Sequence, residues 1–442
     1  MGRRRTHAPL QVLINGRLVG RLEKESGGAI RFAYHRSWLD WEPAFAISLS
    51  LPLRDTPWTG APVAAVFENL LPDNPDIRRR VAERTGAAGI DAYSLLEEIG
   101  RDCVGAMQFL PDDADPGQPR KIEGEPVSEA EIERILANLA RAPLGMEADE
   151  EFRISIAGAQ EKTALLLKDG KWMRPVGTTP TTHLLKPQLG EIPTAFGTID
   201  MNASVDNEHY CLVLLEEFGL QVARTSIETF GKRRVLVVER FDRLWRSATD
   251  ILRLPQEDCC QALGIPPARK YQNRGGPSAV DILRLLRGSD QPQEDQADLL
   301  KSLILFWLIG APDGHAKNVS IFLRPGGRYA LTPFYDVLTA QPALDSRQIP
   351  NNKYKLAMSA GKSRKYRILE IAGRHFVETA REAGIGAAII HHAISDILER
   401  AQGACEAALK RMPPDFAGEI HASVHGAVHK RLGLLETGLV EL

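Results

Sequence analysis

The sequence predicts an α+β fold, with an N-terminal α/β subdomain, a mixed middle region and a mostly helical C-terminal lobe. Three observations carry this. Asn15-Gly16 stands between the runs Gln11–Ile14 and Arg17–Gly20, a strong hairpin signal because both central residues of a type I′ turn need positive φ. Short strand-like segments then mix with a few helices as far as Val238. Beyond about Pro255 the apolar residues recur with the 3.6-residue period of helices.

Taken in order, the hairpin covers Leu10–Gly20, and Ile30–Tyr34 and Ala46–Leu51 are expected to extend its sheet. Helices follow near Pro62–Leu70, Pro75–Thr85 and Ala92–Ile99. The breaker-rich run Pro111–Pro119 places a boundary near residue 115. Ser128 is suited to cap a helix over Glu129–Ala140. Ile154–Ile156, Thr163–Leu167, Thr182–Leu185 and Arg234–Val238 read as strands, and Asn207–Phe218 as a helix ended by Gly219. The C-terminal helices include Val280–Leu286, Gln296–Ile309 and Ala387–Leu409. The domains expected are therefore 1–114, 115–254 and 255–442, without internal repeats or low-complexity tracts.

Composition excludes several classes. The chain has 442 residues, ample for more than one hydrophobic core, with 43% hydrophobic and 25% charged residues. Its 55 Lys and Arg against 57 Asp and Glu give a net charge of −2, which argues against binding nucleic acid or anionic membrane through bulk charge and leaves only a local patch for that role. Five scattered cysteines (Cys103, Cys211, Cys259, Cys260, Cys405) make no disulfide framework and no CxxC pair. The basic start is followed by no apolar stretch of a secretory signal, and the longest apolar run, Leu303–Ala311, is about half a membrane span. A reduced, cytoplasmic protein is expected.

The chemistry gathers after the most apolar helix, in Gly310-Ala-Pro-Asp-Gly-His-Ala-Lys-Asn. Asp313 and Asn318 stand five apart, the spacing of a catalytic loop in which a carboxylate receives a hydroxyl proton and an amide oxygen meets Mg²⁺. Spacing alone also fits an Asp-Gly turn whose Asn caps the next strand. A hairpin then leads from Asn318 through Pro325-Gly-Gly to Tyr335-Asp336 and brings a second hard oxygen donor toward the first. Asp336 could otherwise cap a helix beginning near Val337. Upstream, Ser155–Lys162 is a small-residue loop able to cradle an anion, and it also reads as an ordinary tight hairpin. Lys186 ends a strand where an ammonium could meet phosphates, or equally a strand-end lysine is simply solvated, and Val235–Asp242 offers extended backbone to a base such as adenine. Glu208 is a candidate partner for Lys186, with Glu216 and Glu217 competing. Loop, Lys, helix, linker strand, Asp…Asn and Asp succeed one another in the order of a protein-kinase-like fold.

These residues resemble the HipA toxin kinases. The resemblance is carried by Ser155-Ile-Ala-Gly-Ala-Gln-Glu-Lys-Thr-Ala-Leu-Leu, Thr181-Thr-His-Leu-Leu-Lys, Glu239-Arg-Phe-Asp-Arg, Leu254-Pro-Gln-Glu-Asp, the Gly310–Asn318 run, Leu331-Thr-Pro-Phe-Tyr-Asp and, near the start, Phe67-Glu-Asn-Leu-Leu-Pro-Asp-Asn. It extends from about residue 10 to the C-terminus. Pro312 departs from the threonine of the family pattern, and proline suits the approach to a tight loop.

The resemblance implies a bilobal protein-kinase-like fold with the active site in the cleft. It also implies a serine/threonine kinase that is the toxin of a toxin–antitoxin pair and uses ATP and Mg²⁺. Asp313 matches the catalytic base. Asn318 and Asp336 match the metal ligands, and Lys186 the phosphate-binding lysine. Ala157, Gly158, Ala159, Gln160, Glu161 and Lys162 match the segment closing over ATP, and Glu239, Arg240 and Phe241 the adenine linker. His315, Ala316, Lys317 and Asn318, with Tyr335 and Asp336, line the phosphates. Ser155 matches an autophosphorylation site, where added charge would eject the loop from ATP. A HipB-like helix-turn-helix antitoxin on operator DNA is the implied partner. Glutamate–tRNA ligase or another aminoacyl-tRNA synthetase is the implied substrate. Lys353–Arg374 holds seven basic residues against Glu370. Of these, Lys362, Arg364, Lys365, Arg367 and Arg374 are candidate DNA contacts, or equally a solvated loop.

Overall fold

The computed structural model describes residues 7–114, 122–140, 144, 155–158 and 160–441. Ile154, Ala159 and the boundary expected near residue 115 lie outside the described residues. The chain forms two compact units, one of Met1–Pro187, Glu228–Ala268 and Ile321–Arg328, the other of Gln188–Ile227, Arg269–Ser320 and Tyr329–Leu442.

The first unit opens on β1 (Leu10–Ile14), β2 (Arg17–Lys24), β3 (Ile30–Tyr34), β4 (Trp58–Thr59) and β5 (Met107–Pro111), an antiparallel sheet of order β4-β3-β2-β1-β5. The hairpin pairs Ile14 with Arg17, and Asn15 and Gly16 take φ of 49° and 81°, as a type I′ turn requires. Helices Ala61–Glu68, Pro75–Thr85 and Ala92–Ile99 form where expected, and Phe67 packs edge-on against Phe109 of β5 at 5.7 Å. Ala46–Leu51 is not a strand. The Tyr34 hydroxyl donates to Leu51 O (2.5 Å) and accepts from Ile47 N (3.0 Å), and Leu49 N donates to Glu257 Oε1 (2.8 Å). Side chains thus satisfy backbone groups that a neighbouring strand would otherwise pair.

A second sheet contains β6 (Gly124–Pro126), β7 (Thr163–Lys168), β8 (Lys171–Pro175), β9 (His183–Pro187), β10 (Thr225–Phe230) and β11 (Arg233–Glu239), in the order β10-β11-β9-β7-β8-β6. The Glu129–Ala137 helix, held at its start by a Ser128–Glu131 capping box, covers one face. Its Ile132, Ile135 and Leu136 form a core with Leu165, Leu185, Val235 and Val237. The strand expected over Ile154–Ile156 is absent from its described part, because Ser155–Gly158 is bonded to the Leu70–Asp73 turn instead.

In the second unit the Pro292–Ile309 helix is buried almost throughout from Leu299 onward. Arg431, on the Gly418–Glu436 helix, donates to its last carbonyls, Trp307 O (3.0 Å) and Leu308 O (2.8 Å), as helix C-termini favour. Gly310 ends the helix at φ 73°, and a Cβ there would lie 1.7 Å from the Tyr354 hydroxyl. Only glycine fits, and the following loop is thereby aimed. Lys353–Arg374 is built around a hairpin, Lys355–Ala360 with Lys365–Arg367, and runs into the Gly373–Ala383 helix. Among the described residues no helix is long and apolar enough to cross a membrane.

Candidate active site

The loop after Gly310 holds its own shape. Asn318 Nδ2 donates to Asp313 O at 3.0 Å, and Ala316–Asn318 forms a 3₁₀ turn that places Asp313 at the loop's rim, its side chain 56% exposed. Tyr271 donates its hydroxyl to Asp313 Oδ1 at 2.7 Å, while His315 Nε2 lies 3.9 Å from Oδ2, beyond hydrogen-bond reach. His315 is buried, and burial lowers its pKa more than the Asp313 charge raises it. Its Nδ1 has no partner. Tyr335 donates to Lys317 O (3.0 Å) and lies 2.6 Å from Ser320 Oγ, pinning the exit of the loop. Asp336 takes φ 60°, a left-handed conformation that costs a non-glycine residue about 1 kcal/mol or more. The next helix starts at Gln341 with Ala340 as its N-cap, rather than near Val337, so Asp336 is not its cap and its strain is not explained as helix capping.

In the first unit, Ser155 is fully buried and donates its hydroxyl to Leu70 O at 2.8 Å and its N–H to Asp102 O at 2.9 Å. Gly158, at φ 113°, accepts from Asp73 N at 3.0 Å. Lys162 turns back to Ala157 O (2.9 Å), Gln160 donates to Pro187 O (3.1 Å), and Glu161 pairs with Arg80 (2.9 Å). Lys186 is buried on β9, in register with Leu236 of β11. The extended backbone ends at Glu239, after which Arg240 N donates to Thr182 O (2.9 Å) and Phe241 stands edge-on to Phe322 at 5.9 Å.

Sequence reasoning missed the charges beneath that linker. Asp102 accepts from Thr181 N (3.0 Å) and Oγ1 (2.7 Å), Arg243 Nη2 (2.9 Å), Arg253 Nε (3.1 Å) and Arg240 Nη1 (3.3 Å). Asp242 accepts from Gly105 N (2.7 Å) and Arg240 Nη2 (2.8 Å). All five charged side chains are buried. Burial alone would raise the Asp102 pKa, but the three arginines outweigh it and hold the carboxyl well below the carboxylate range. The same burial pushes Arg243 down to about 10. The alternation of charge in Glu239-Arg-Phe-Asp-Arg was the available signal. Tyr271 gave none.

The residues singled out from sequence divide between the units. Ser155, Ala157, Gly158, Gln160, Glu161, Lys162, Lys186, Glu239, Arg240 and Phe241 belong to the first, and Asp313, His315, Ala316, Lys317, Asn318, Tyr335 and Asp336 to the second. Glu208 is buried on the Ser204–Glu217 helix, whereas Glu216 and Glu217 pair with Arg411. Lys362, Arg364, Arg367 and Arg374 are exposed, and Glu370 takes up Arg367 at 2.7 Å and the half-buried Lys365 at 3.7 Å. Among the described residues no group of three or more His, Cys, Asp or Glu could hold a metal by itself. Asn318 and Asp336 each carry a hard oxygen, the donor type that Mg²⁺ takes.

A family model for the HipA-like C-terminal domain matches residues 154–405, and one for the HipA N-terminal domain matches residues 10–110. The Sinorhizobium fredii protein Y4mE, provisionally named a kinase, is 35% identical over 395 residues, covering 88% of this chain and 89% of that one. The serine/threonine-protein kinase toxin HipA of Shewanella oneidensis is 28% identical over 376 residues, 79% of this chain and 82% of its own. A solved structure of Shewanella oneidensis HipA with HipB and operator DNA superposes with a TM-score of 0.79 at 23% identity, covering 98% of this chain and 99% of that one. The α+β, protein-kinase-like fold expected from the sequence is borne out.

Proposed function

The chain belongs to the HipA family, and on that premise we propose that it is a serine/threonine protein kinase, the toxin of a toxin–antitoxin pair. The observation that carries the reading is the Gly310–Asn318 loop, a self-bonded turn that presents an exposed carboxylate at the end of a buried helix.

Asp313 is the base that receives the proton of an acceptor serine. Asn318 and Asp336 would hold Mg²⁺, which when bound neutralises phosphate charge. Lys186 meets the phosphates, and the backbone of Glu239–Phe241 receives adenine. Ala157–Lys162 closes over ATP, and His315–Asn318 with Tyr335 line the phosphates. Ser155 is an autophosphorylation site. Its hydroxyl now faces the carbonyl of Leu70, and a phosphate of nearly two negative charges there would be repelled and would drive the segment out. In this reading the protein is cytoplasmic, and its substrate is an aminoacyl-tRNA synthetase such as glutamate–tRNA ligase. The Shewanella protein is bound to HipB and operator DNA in its complex, which supports a helix-turn-helix antitoxin here, with Lys362, Arg364, Lys365, Arg367 and Arg374 available to DNA phosphates.

The test is transfer from radiolabelled ATP with Mg²⁺ by wild type and Asp313→Ala, with label mapped by mass spectrometry. Label on Ser155 that vanishes in the variant is the expected result. ATP binding without transfer to itself or to a panel of aminoacyl-tRNA synthetases would point instead to a non-catalytic corepressor or a small-molecule kinase. Absence of ATP binding would end the kinase reading.

A further inference from the structure

We infer that Tyr271 is a positioning residue of the transfer step, fixing the Asp313 carboxylate so that Oδ2 is the oxygen offered to the acceptor hydroxyl. This rests on the kinase reading above. The phenol is 2.7 Å from Asp313 Oδ1, a full hydrogen bond, while among the described residues nothing lies within hydrogen-bond distance of Oδ2.

The segment carrying Tyr271 is built to keep it there. Gln272 clamps Ser359 on the Lys355–Ala360 strand, receiving Ser359 N at 2.7 Å and donating to Ser359 Oγ at 2.9 Å. The N–H groups of Arg274 (2.9 Å) and Gly276 (3.0 Å) both return to Tyr271 O. Gly275 takes φ 83° to close the turn, and a Cβ at Gly276 would lie 2.0 Å from Arg269 O. The phenol ring stands edge-on to the buried His315, centroids 5.0 Å apart and planes at 83°. Held on both sides, the hydroxyl is a fixed donor rather than a passing contact.

A carboxylate on an exposed loop turns freely about its last bond, and a base must lie within about 3 Å of the proton it takes. A fixed donor on one oxygen removes that freedom and aims the other. In the step, the acceptor serine Oγ forms a bond to Pγ of ATP and its proton passes to Asp313 Oδ2. The bond from Pγ to the bridging oxygen breaks, its electron pair leaving with ADP. Tyr271 keeps its proton throughout.

The test uses full-length wild type, Tyr271→Phe, Gln272→Ala and Asp313→Ala, with [γ-³²P]ATP and Mg²⁺, following transfer to the protein itself and to dephosphorylated casein across ATP concentrations. Tyr271→Phe is expected to lower the maximal rate by about tenfold, with half-saturating ATP within about twofold of wild type and the thermal midpoint unchanged. Gln272→Ala, which keeps the phenol and loses its clamp, is expected to lose rate in the same direction by less. A Tyr271→Phe rate equal to or above wild type overturns the inference, a gain meaning that the phenol competes with the acceptor. A loss accompanied by an equal loss of ATP affinity or a lower thermal midpoint also overturns it, since packing would then explain the effect. If wild type transfers no more phosphate than Asp313→Ala, the kinase reading fails and this inference with it. If wild type transfers and only Tyr271→Phe is indifferent, the inference alone fails.

Discussion

The charged cluster beneath the linker and the loop after Gly310 are made of similar residues and do opposite things with them. Asp102 is surrounded by donors from Thr181 and three arginines, and both its oxygens are taken. Among the described residues Asp313 has one donor to its carboxylate, a neighbouring His315 whose Nδ1 is orphaned, and a strained Asp336 further along. The first region satisfies every charge and is sealed. The second leaves groups exposed, unpaired or strained, which folding alone does not reward and which a bound ligand can exploit. The same carboxyl group is locked in place in one setting and left exposed in the other because of how many donors surround it.

Breaking the sealed region should have the largest effect. Asp102→Asn leaves Asp242 to pair with the buried Arg240 and Arg243 and takes from the buried Arg253 the acid it is bonded to, and removing one partner of a buried pair costs about 3–5 kcal/mol. Urea unfolding should show the midpoint collapse, and an unchanged midpoint would refute the role given to the cluster. In the open region, Asp313→Ala should cut phosphoryl transfer by about 10²–10⁴-fold while leaving the thermal midpoint where it was. A fall in stability would make Asp313 structural after all.

Glu257 sharpens the contrast, being as buried as Asp102 but paired with no arginine among the described residues. Burial lifts its pKa from 4.5 to about 8, only partly offset by the Leu49 N–H. Between those values the folded protein holds a proton that the unfolded chain has released, so the stabilisation is complete below pH 4.5 and lost as pH rises through 8. The slope is at most about 1.4 kcal/mol per pH unit. Denaturation of Glu257→Gln across that window should be flatter than wild type, and parallel curves would contradict a protonated Glu257. The smallest effect belongs to Ser155→Ala, which removes one buried hydrogen bond worth about 1 kcal/mol. Calorimetry should register that loss, and a neutral result would mean that the Leu70 contact contributes nothing.

What was legible in the sequence was what lies close together along it. Asn15-Gly16 announces its turn because two adjacent residues need positive φ. The Gly310–Asn318 loop is readable because its residues bond to one another. Tyr271 could not be found that way, since it reaches Asp313 across 42 residues. Nor could Asp102, whose carboxylate finds its partners 79 to 151 residues away. Ala46–Leu51 misled for a related reason. Its alternation suits a strand, but the Tyr34 hydroxyl and Glu257 supply the bonds that a sheet neighbour would have given. Local pattern reports the face a segment buries, while its pairing is decided by residues elsewhere in the chain.

The bond between Asn15 and Arg253 runs both ways, Nδ2 to O and N to Oδ1, each at 2.9 Å and across 238 residues. During synthesis the opening hairpin can form within moments of emerging, yet the residue it grips has not been made. Asp102 must wait for an arginine 151 residues downstream, roughly eight to thirty seconds at ordinary rates of translation. Until then a nascent chain carries an acid destined for burial and still in water. The Gly310–Asn318 loop is translated only after that acid's last arginine partner, Arg253, has been made. A ribosome-bound fragment thus carries the means to complete its first charge cluster before it carries Asp313.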